Sequence, residues 1–142
     1  MSNQHKASCL CGAIQFEVEN PGEIGHCHCV MCQKAHGAAY GTYVDIHRDQ
    51  LRIVSGEDAI GRYESTPGIQ RTFCKQCGST LQFYREGADR QGLAAGLFDS
   101  ELERQPRYEI WTSSSKSWAN RDNLELTHRT EPQPGEWTPN ND

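Results

Sequence analysis

The sequence predicts an all-β domain built mainly of antiparallel strands, and three observations support this prediction. First, short segments alternate apolar and polar residues: in AIQFEV, Ile14, Phe16 and Val18 face one way, while Gln15 and Glu17 face the other. Second, turn-forming Asn, Pro, Gly and Ser residues separate these segments. Third, no long stretch between them has the 3.6-residue apolar period of a helix. This pattern favours an antiparallel sheet over alternating strands and helices.

The predicted elements follow one another along a single domain. Single helical turns are predicted at residues 32–36 and 115–118, where Ser, Lys and Ala occur without β-branched neighbours. We expect one domain over residues 1–130. Residues 131–142 contain three prolines and few apolar side chains, which predicts a loose tail. The predicted strands cover residues 13–18, 38–46, 51–54, 69–74, 79–84, 92–98 and 108–112.

Composition and charge argue against several classes of partner. The chain has 142 residues and a formal net charge of -5 at pH 7, whereas nucleic-acid binding depends on clustered positive charge. No apolar run reaches the roughly 20 residues that span a bilayer. The N-terminal MSNQHKAS also lacks the apolar centre of a secretory signal. We therefore expect a cytoplasmic protein that binds neither nucleic acid nor membrane.

Seven cysteines stand out in this short chain, and all of them precede residue 78. Disulfides are rare in a reducing compartment, and an odd number of cysteines cannot all pair within one chain. A redox CxxC would need a strand followed by a long helix, which the pattern lacks. Metal binding therefore explains the cysteines best. They form three sets: Cys9 and Cys11 in SCLCG, Cys27, Cys29 and Cys32 in CHCVMC, and Cys74 and Cys77 in FCKQCG.

The spacing within each set suits metal ligands. Two cysteines in a CxxC turn can hold one ion, and in CxC the side chains of residues i and i+2 point to the same face of an extended strand. A structural zinc takes four protein ligands, whereas a catalytic zinc keeps three and an open position. Seven cysteines divide as four plus three, but the spacing leaves open which group Cys27 or Cys32 would join.

The motifs SCLCGAIQFEV, CHCVMCQKAHGAAY and FCKQCGSTL, followed by IWT and Trp118, resemble those of the glutathione-dependent formaldehyde-activating enzyme family and occur in its order. The resemblance covers residues 7–126. It implies a fold similar to the Mss4-like proteins, a β-tent of packed sheets around a structural zinc with few short helices. It also implies two zinc ions per chain: a structural one at Cys9, Cys11, Cys74 and Cys77, and a catalytic one at Cys27, Cys29 and Cys32.

The resemblance also implies an activity. In the family's reaction, glutathione adds to formaldehyde to give S-(hydroxymethyl)glutathione, which is classed as the reverse of a carbon–sulfur lyase reaction. The partners would be a small thiol, with glutathione as co-substrate, and a small aldehyde. Family members often carry a histidine just before the IW segment, where this chain has Arg107, Tyr108 and Glu109. By nearness in sequence alone, candidates to bind the glutathione carboxylates are Lys34, Arg62, Arg71 and Lys75.

A non-catalytic Mss4-like binding or chaperone module is the alternative function, and it would need only the closed four-cysteine site. The role of three histidines bears on this choice, because His26, His28 and His36 flank the middle cysteine set. Three thiolates already complete a catalytic set. We therefore expect these histidines to be surface groups or groups that support the ligands.

Overall fold

Two β-sheets and one short helix make up the protein in a computed structural model that describes residues 3–104, 106–119 and 127–128. The predicted tail at residues 131–142 lies outside the described residues. None of the helices in the described ranges has the length and apolar character needed to cross a membrane. The elements are β1 (Gln4–Ser8), β2 (Gln15–Glu19), β3 (Ile24–Cys27), α1 (Val30–His36), β4 (Gly41–His47), β5 (Leu51–Ser55), β6 (Ile60–Thr66), β7 (Ile69–Cys74), β8 (Thr80–Arg85), β9 (Arg90–Ala94), β10 (Tyr108–Ile110) and β11 (Thr127–His128).

The smaller sheet contains three antiparallel strands in the order β1-β2-β5. In β2, Phe16 and Val18 are buried while Gln15 and Glu19 are exposed. The alternation in the sequence therefore places one face of this strand on the core and leaves the other towards solvent.

The larger sheet has eight strands in the order β11-β10-β3-β4-β9-β8-β7-β6. Strand β10 runs parallel to both β3 and β11, and the other neighbouring strands are antiparallel. Tyr108 of β10 lies opposite Gly25 of β3, and a Cβ atom on Gly25 would overlap the Tyr108 ring. Glycine at this position therefore allows β10 to pair with the strand that carries Cys27.

The main core combines apolar side chains from both sheets. Fully burying one such side chain stabilises the fold by about 1.5–3 kcal/mol, so a cluster of this size is a principal source of stability. It excludes water from the space between the sheets. Its members with at most 1% exposure include Ile14, Phe16, Val18, Val44, Ile46, Leu81 and Leu93.

The observed fold confirms the prediction of a mainly antiparallel all-β protein with little helix. Each of the seven predicted strands overlaps an observed one. The prediction of strand through residue 98 is wrong, because Ala95–Leu97 forms a 3-10 turn; alanine and glycine have low strand propensity. The helix begins at Val30 rather than at residue 32. Near the other predicted turn, the chain forms a 3-10 turn at Thr112–Ser114 rather than a helical turn at residues 115–118.

The sequence pattern missed strands β1, β3 and β6, along with the two-residue β11. All four residues of β3 are buried, so the strand shows no alternation of apolar and polar residues. Strand β6 forms an edge of the larger sheet, and its central residues Arg62, Tyr63 and Glu64 are exposed. Hydrophobic alternation reports only strands with one buried face, which explains both omissions.

Candidate metal centres

A four-cysteine cluster lies where the two sheets meet. Cys9 and Cys11 follow β1 of the smaller sheet, whereas Cys74 ends β7 of the larger sheet and Cys77 precedes β8. The four sulfur atoms lie within 4.8 Å of one another. The Cys9–Cys11 and Cys11–Cys74 Sγ distances are 3.6 and 3.8 Å. These values match the separation of about 3.8 Å expected for sulfurs bound tetrahedrally to zinc at about 2.3 Å.

Two tight turns hold these sulfur atoms in place. Gly12 and Gly78 follow the two cysteine pairs, and both have a φ angle of +80°, which glycine adopts without steric cost. The Gly12 amide donates to the Cys9 carbonyl at 3.0 Å, and the Gly78 amide donates to the Cys74 carbonyl at 2.8 Å. The two turns also contact each other, because the Leu10 amide donates to Ser79 Oγ at 2.9 Å. The cluster therefore connects the sheets without a disulfide.

A second cluster contains Cys27, Cys29 and Cys32, whose sulfurs also lie within 4.8 Å of one another. Cys27 ends β3, Cys29 is the N-cap residue of α1, and Cys32 lies in its first turn. The Cys32 amide donates to Cys29 Sγ at 3.2 Å. Residues three apart lie on the same face of a helix, so the start of α1 brings these two sulfurs together beneath the end of β3. All three residues are at most 1% exposed.

The proton affinities of these three thiols differ because the groups share one buried space. Burial raises the pKa of Cys27 far above its usual value and raises the pKa of Cys32 to about 12. Hydrogen bonds from Cys27 and Cys32 lower the pKa of Cys29 to about 3. Three thiols this close compete for one negative charge, whereas a soft divalent cation would stabilise all three as thiolates, so the donor set fits zinc.

Apolar side chains enclose the three-cysteine cluster. Buried Ile69, Phe83 and Ile110 pack with the cysteines, and partly buried Met31 and Trp111 pack against that group. Such surroundings exclude water and strengthen the electrostatic interactions of any charge held there.

A polar network approaches the cluster on the side of Cys32. The Tyr43 hydroxyl lies 3.8 Å from Cys32 Sγ and 2.6 Å from His36 Nε2. Arg71 Nη1 and Nη2 donate to Cys32 Sγ at 3.7 and 3.8 Å. Burial, together with the Arg71 charge, lowers the pKa of His36 to about 4, so His36 is neutral at pH 7. Cys32 is therefore the sulfur with the most hydrogen-bond donors among its neighbours.

The histidines beside the cluster are not surface groups, and that part of the expectation is wrong. His28 is 0% exposed, and its Nε2 lies 2.7 Å from Oε1 of Glu109, which is also 0% exposed. His26 is buried, and its Nδ1 lies 2.8 Å from Thr42 Oγ1. Burial lowers the pKa of His26 to about 4. Both histidines form part of the packing that supports the cysteine-bearing segment.

Of the four candidate cations, the structure brings Arg71 to the cluster. Lys34, Arg62 and Lys75 are exposed, and the Arg62 side chain donates to the Tyr84 hydroxyl. Sequence reasoning missed Tyr43 and Glu109, which contact the cluster or its histidines. Tyr43 lies in an alternating segment that is typical of core packing, so its sequence carries no functional signal. Glu109 offers a weak signal, as an acidic residue between the apolar Tyr108 and Ile110.

Comparisons with known proteins identify the family that the cysteine motifs resemble. The sequence profile of the family "Glutathione-dependent formaldehyde-activating enzyme" matches residues 4–114. An uncharacterised lyase of Schizosaccharomyces pombe is 32% identical over 98 residues, which cover 67% of this chain and 69% of that protein. A Halomonas elongata protein, named as a candidate glutathione-dependent formaldehyde-activating enzyme, is 30% identical over 124 residues, or 80% of this chain and 78% of the relative.

Two further matches differ in how much of the relative they cover. A Podospora anserina protein with the same name is 30% identical over 117 residues, or 75% of this chain, and the match spans 53% of its length. A crystal structure of a Rhodobacter sphaeroides protein superposes with a TM-score of 0.59 at 24% identity, covering 70% of this chain and 92% of that one. At this identity the superposition establishes a shared fold.

Proposed function

Since the chain belongs to the glutathione-dependent formaldehyde-activating enzyme family, we propose that it is an enzyme that joins a small thiol to a small aldehyde. Glutathione and formaldehyde are the substrates that the family name supports. The reaction forms one carbon–sulfur bond between the thiol sulfur and the aldehyde carbon, and the thiol proton ends on the aldehyde oxygen. The product is a hemithioacetal, and cleavage of its carbon–sulfur bond is the lyase direction.

The observation that carries this proposal is the composition of the second cysteine cluster. Within the described part of the chain, this group of possible metal ligands has three members, Cys27, Cys29 and Cys32. Three protein ligands are typical of a catalytic zinc, and four of a structural one. We therefore assign a structural zinc to Cys9, Cys11, Cys74 and Cys77, and a catalytic zinc to the trio. When bound to the trio, zinc supplies a coordination position that holds a thiol in its deprotonated form.

The residues around the trio have defined tasks in this proposal. Ile69, Phe83 and Ile110 exclude water, which limits competing hydration of the aldehyde at the site. Tyr43 and Arg71 supply hydrogen-bond donors on the Cys32 side. Fixed donors of this kind orient the reacting groups and stabilise the negative charge that develops on the aldehyde oxygen as the carbon–sulfur bond forms.

The direct test measures hemithioacetal formation and zinc content together. We expect the purified protein to contain two zinc ions per chain and to form the glutathione–formaldehyde adduct faster than the spontaneous reaction. The Cys29→Ser variant should lose one zinc and the catalysed rate, whereas Val30→Ser, a change at an exposed position of the same helix, should keep both.

Two outcomes would contradict the proposal. A Cys29→Ser protein with the wild-type rate would remove the trio from the reaction. One tightly held zinc per chain, combined with no rate above the spontaneous background, would instead favour the non-catalytic binding module. Repeating the assay with other thiols and small aldehydes would identify the preferred pair.

A further inference from the structure

The Arg71 side chain is buried and fixed beside the three-cysteine cluster. It is 8% exposed. Its Nε donates to Ser65 Oγ at 3.1 Å, and its guanidinium carbon lies 4.8 Å from the centroid of the Phe83 ring. These two contacts define the orientation of the planar group. Its two Nη atoms consequently point inwards, away from solvent.

Both of those nitrogens are directed at one sulfur. Nη1 and Nη2 lie 3.7 and 3.8 Å from Cys32 Sγ, and Nη1 also lies 3.4 Å from the Tyr43 hydroxyl. Among residues 3–104 and 106–119, no carboxylate forms an ion pair with Arg71. By contrast, exposed arginines such as Arg52 and Arg90 form ion pairs with carboxylates. Arg71 instead faces thiols.

A buried guanidinium without a carboxylate needs another negative partner. Arginine stays protonated in proteins, and an unpaired buried charge is costly. Both Nη atoms of Arg71 point at Cys32 Sγ, so among the described residues the sulfurs of the trio are placed to supply this partner.

We propose that Arg71 is a positioning residue that compensates the negative charge of the three-cysteine centre and thereby favours binding of an anionic thiolate there. This inference rests on the proposed function, because it takes the trio as the metal centre. With a divalent ion bound, the three thiolates would leave one net negative charge, which the Arg71 guanidinium would offset before a fourth thiolate could bind.

This role differs from the one that sequence nearness suggested for Arg71. Replacing a residue that anchors a glutathione carboxylate would weaken the binding of glutathione but not that of a thiol without a carboxylate. Replacing a residue that sets the charge of the centre would weaken the binding of every thiol by a similar factor, because all of them bind through a charged sulfur. The comparison of glutathione with 2-mercaptoethanol therefore separates the two roles.

The experiment uses the 142-residue chain with Co²⁺ in place of zinc. The sulfur-to-cobalt absorption bands of the bound Co²⁺ then report on the trio. Arg71→Met should weaken Co²⁺ binding at the trio by about 10- to 100-fold, the usual effect of removing a group that supports metal ligands. It should weaken 2-mercaptoethanol and glutathione binding by similar factors and leave the four-cysteine site unchanged. Lys34→Met removes an exposed positive charge two residues from Cys32 and should leave the absorption bands and the affinities for Co²⁺ and 2-mercaptoethanol unchanged.

Arg71→Lys provides the second variant, because it keeps the positive charge but loses the planar fork. It should bind Co²⁺ and 2-mercaptoethanol with intermediate affinity and shift the absorption bands. This variant keeps the test decisive if Arg71→Met does not fold.

Wild-type affinities and bands in both variants would overturn the inference while leaving the proposed function intact. Weaker binding of glutathione alone would also overturn it, in favour of a carboxylate anchor. A wild-type protein that binds no ion at the trio would overturn both the catalytic zinc and the role of Arg71.

Discussion

The two cysteine clusters differ in burial, and their neighbours differ accordingly. In the four-cysteine cluster, Cys9 and Cys74 are buried, but Cys11 is exposed and Cys77 is half-buried. The three cysteines of the other cluster are at most 1% exposed. Solvent can screen the charge of the first cluster, whereas the second lies in a medium of low polarity where charges interact strongly.

The neighbouring groups reflect this difference. Around the four-cysteine cluster the hydrogen-bond partners are backbone amides and neutral side chains. Ser79, for example, lies 3.2 Å from Cys77 Sγ and lowers the Cys77 pKa to about 5. Around the buried cluster the partners include the charged Arg71 and the buried Tyr43. A fully buried set of thiolates requires a cation and fixed hydrogen-bond donors nearby, whereas a partly exposed set does not. Four predictions test this contrast through the free energy of unfolding.

The largest effect is expected for the cluster that joins the two sheets. Cys74→Ser removes one of its four ligands, and structural zinc commonly contributes about 10–16 kcal/mol of binding free energy in small domains. We expect destabilisation on the order of 5 kcal/mol or more, with loss of the folded state near room temperature. Thermal unfolding followed by circular dichroism measures this change. If Cys74→Ser unfolds at the same temperature as the wild-type protein, this cluster does not support the fold.

An intermediate effect is expected for the buried support of the three-cysteine cluster. Glu109→Gln keeps the shape of the side chain but replaces the charged partner of His28, and we expect a loss of about 2 kcal/mol. Denaturant unfolding measures it. The exposed pair of His47 and Asp49 provides the control, because Asp49→Asn should change the unfolding free energy by less than about 0.5 kcal/mol. Equal effects at both sites would contradict the contrast between buried and exposed groups.

A smaller effect on stability is expected within the trio itself. Serine is a favoured N-cap residue, so Cys29→Ser can preserve the start of α1 while removing a metal ligand. We expect the free energy of unfolding to change by less than about 1 kcal/mol, even though the proposed catalytic zinc is lost. Denaturant unfolding and zinc analysis on the same sample test this. A loss comparable to that of Cys74→Ser would mean that both clusters serve the fold.

The smallest effect on the free energy of unfolding is expected beside the four-cysteine cluster. Gln76 Oε1 lies 3.8 Å from Cys11 Sγ on the surface, and Gln76→Ala should change the unfolding free energy by less than about 0.5 kcal/mol. Zinc affinity at the four-cysteine site should stay unchanged in a chelator competition assay. A tenfold loss of affinity there would show that neutral exposed neighbours matter as much as buried charged ones.

The sequence predicts the fold class because several strands have one buried face. Phe16 and Val18 in β2 show this most clearly, and β7 alternates in part. Strand β3 is buried on both faces and β6 lies at an edge, so neither shows the expected alternation. The periodicity of hydrophobic residues reports the environment of a strand, and it fails where that environment is uniform.

The cysteine sets are visible in the sequence, but their surroundings are not. The spacing favoured metal binding and a four-plus-three division, while the assignment of each cysteine to a group came from family resemblance. Glu109 lies 81 residues from His28, and Arg71 lies 39 residues from Cys32. Contacts over such separations depend on sheet topology, which local patterns do not encode.

The position of Cys29 at the start of α1 restricts how this segment can change in length. Its sulfur belongs to the trio and also accepts the Cys32 amide, so the two cysteines are tied to the first helical turn. Inserting one residue between them would rotate Cys32 by about 100° around the helix axis and carry its sulfur away from the other two. Insertions and deletions are therefore incompatible with this segment, whereas the surface loops between strands can absorb them.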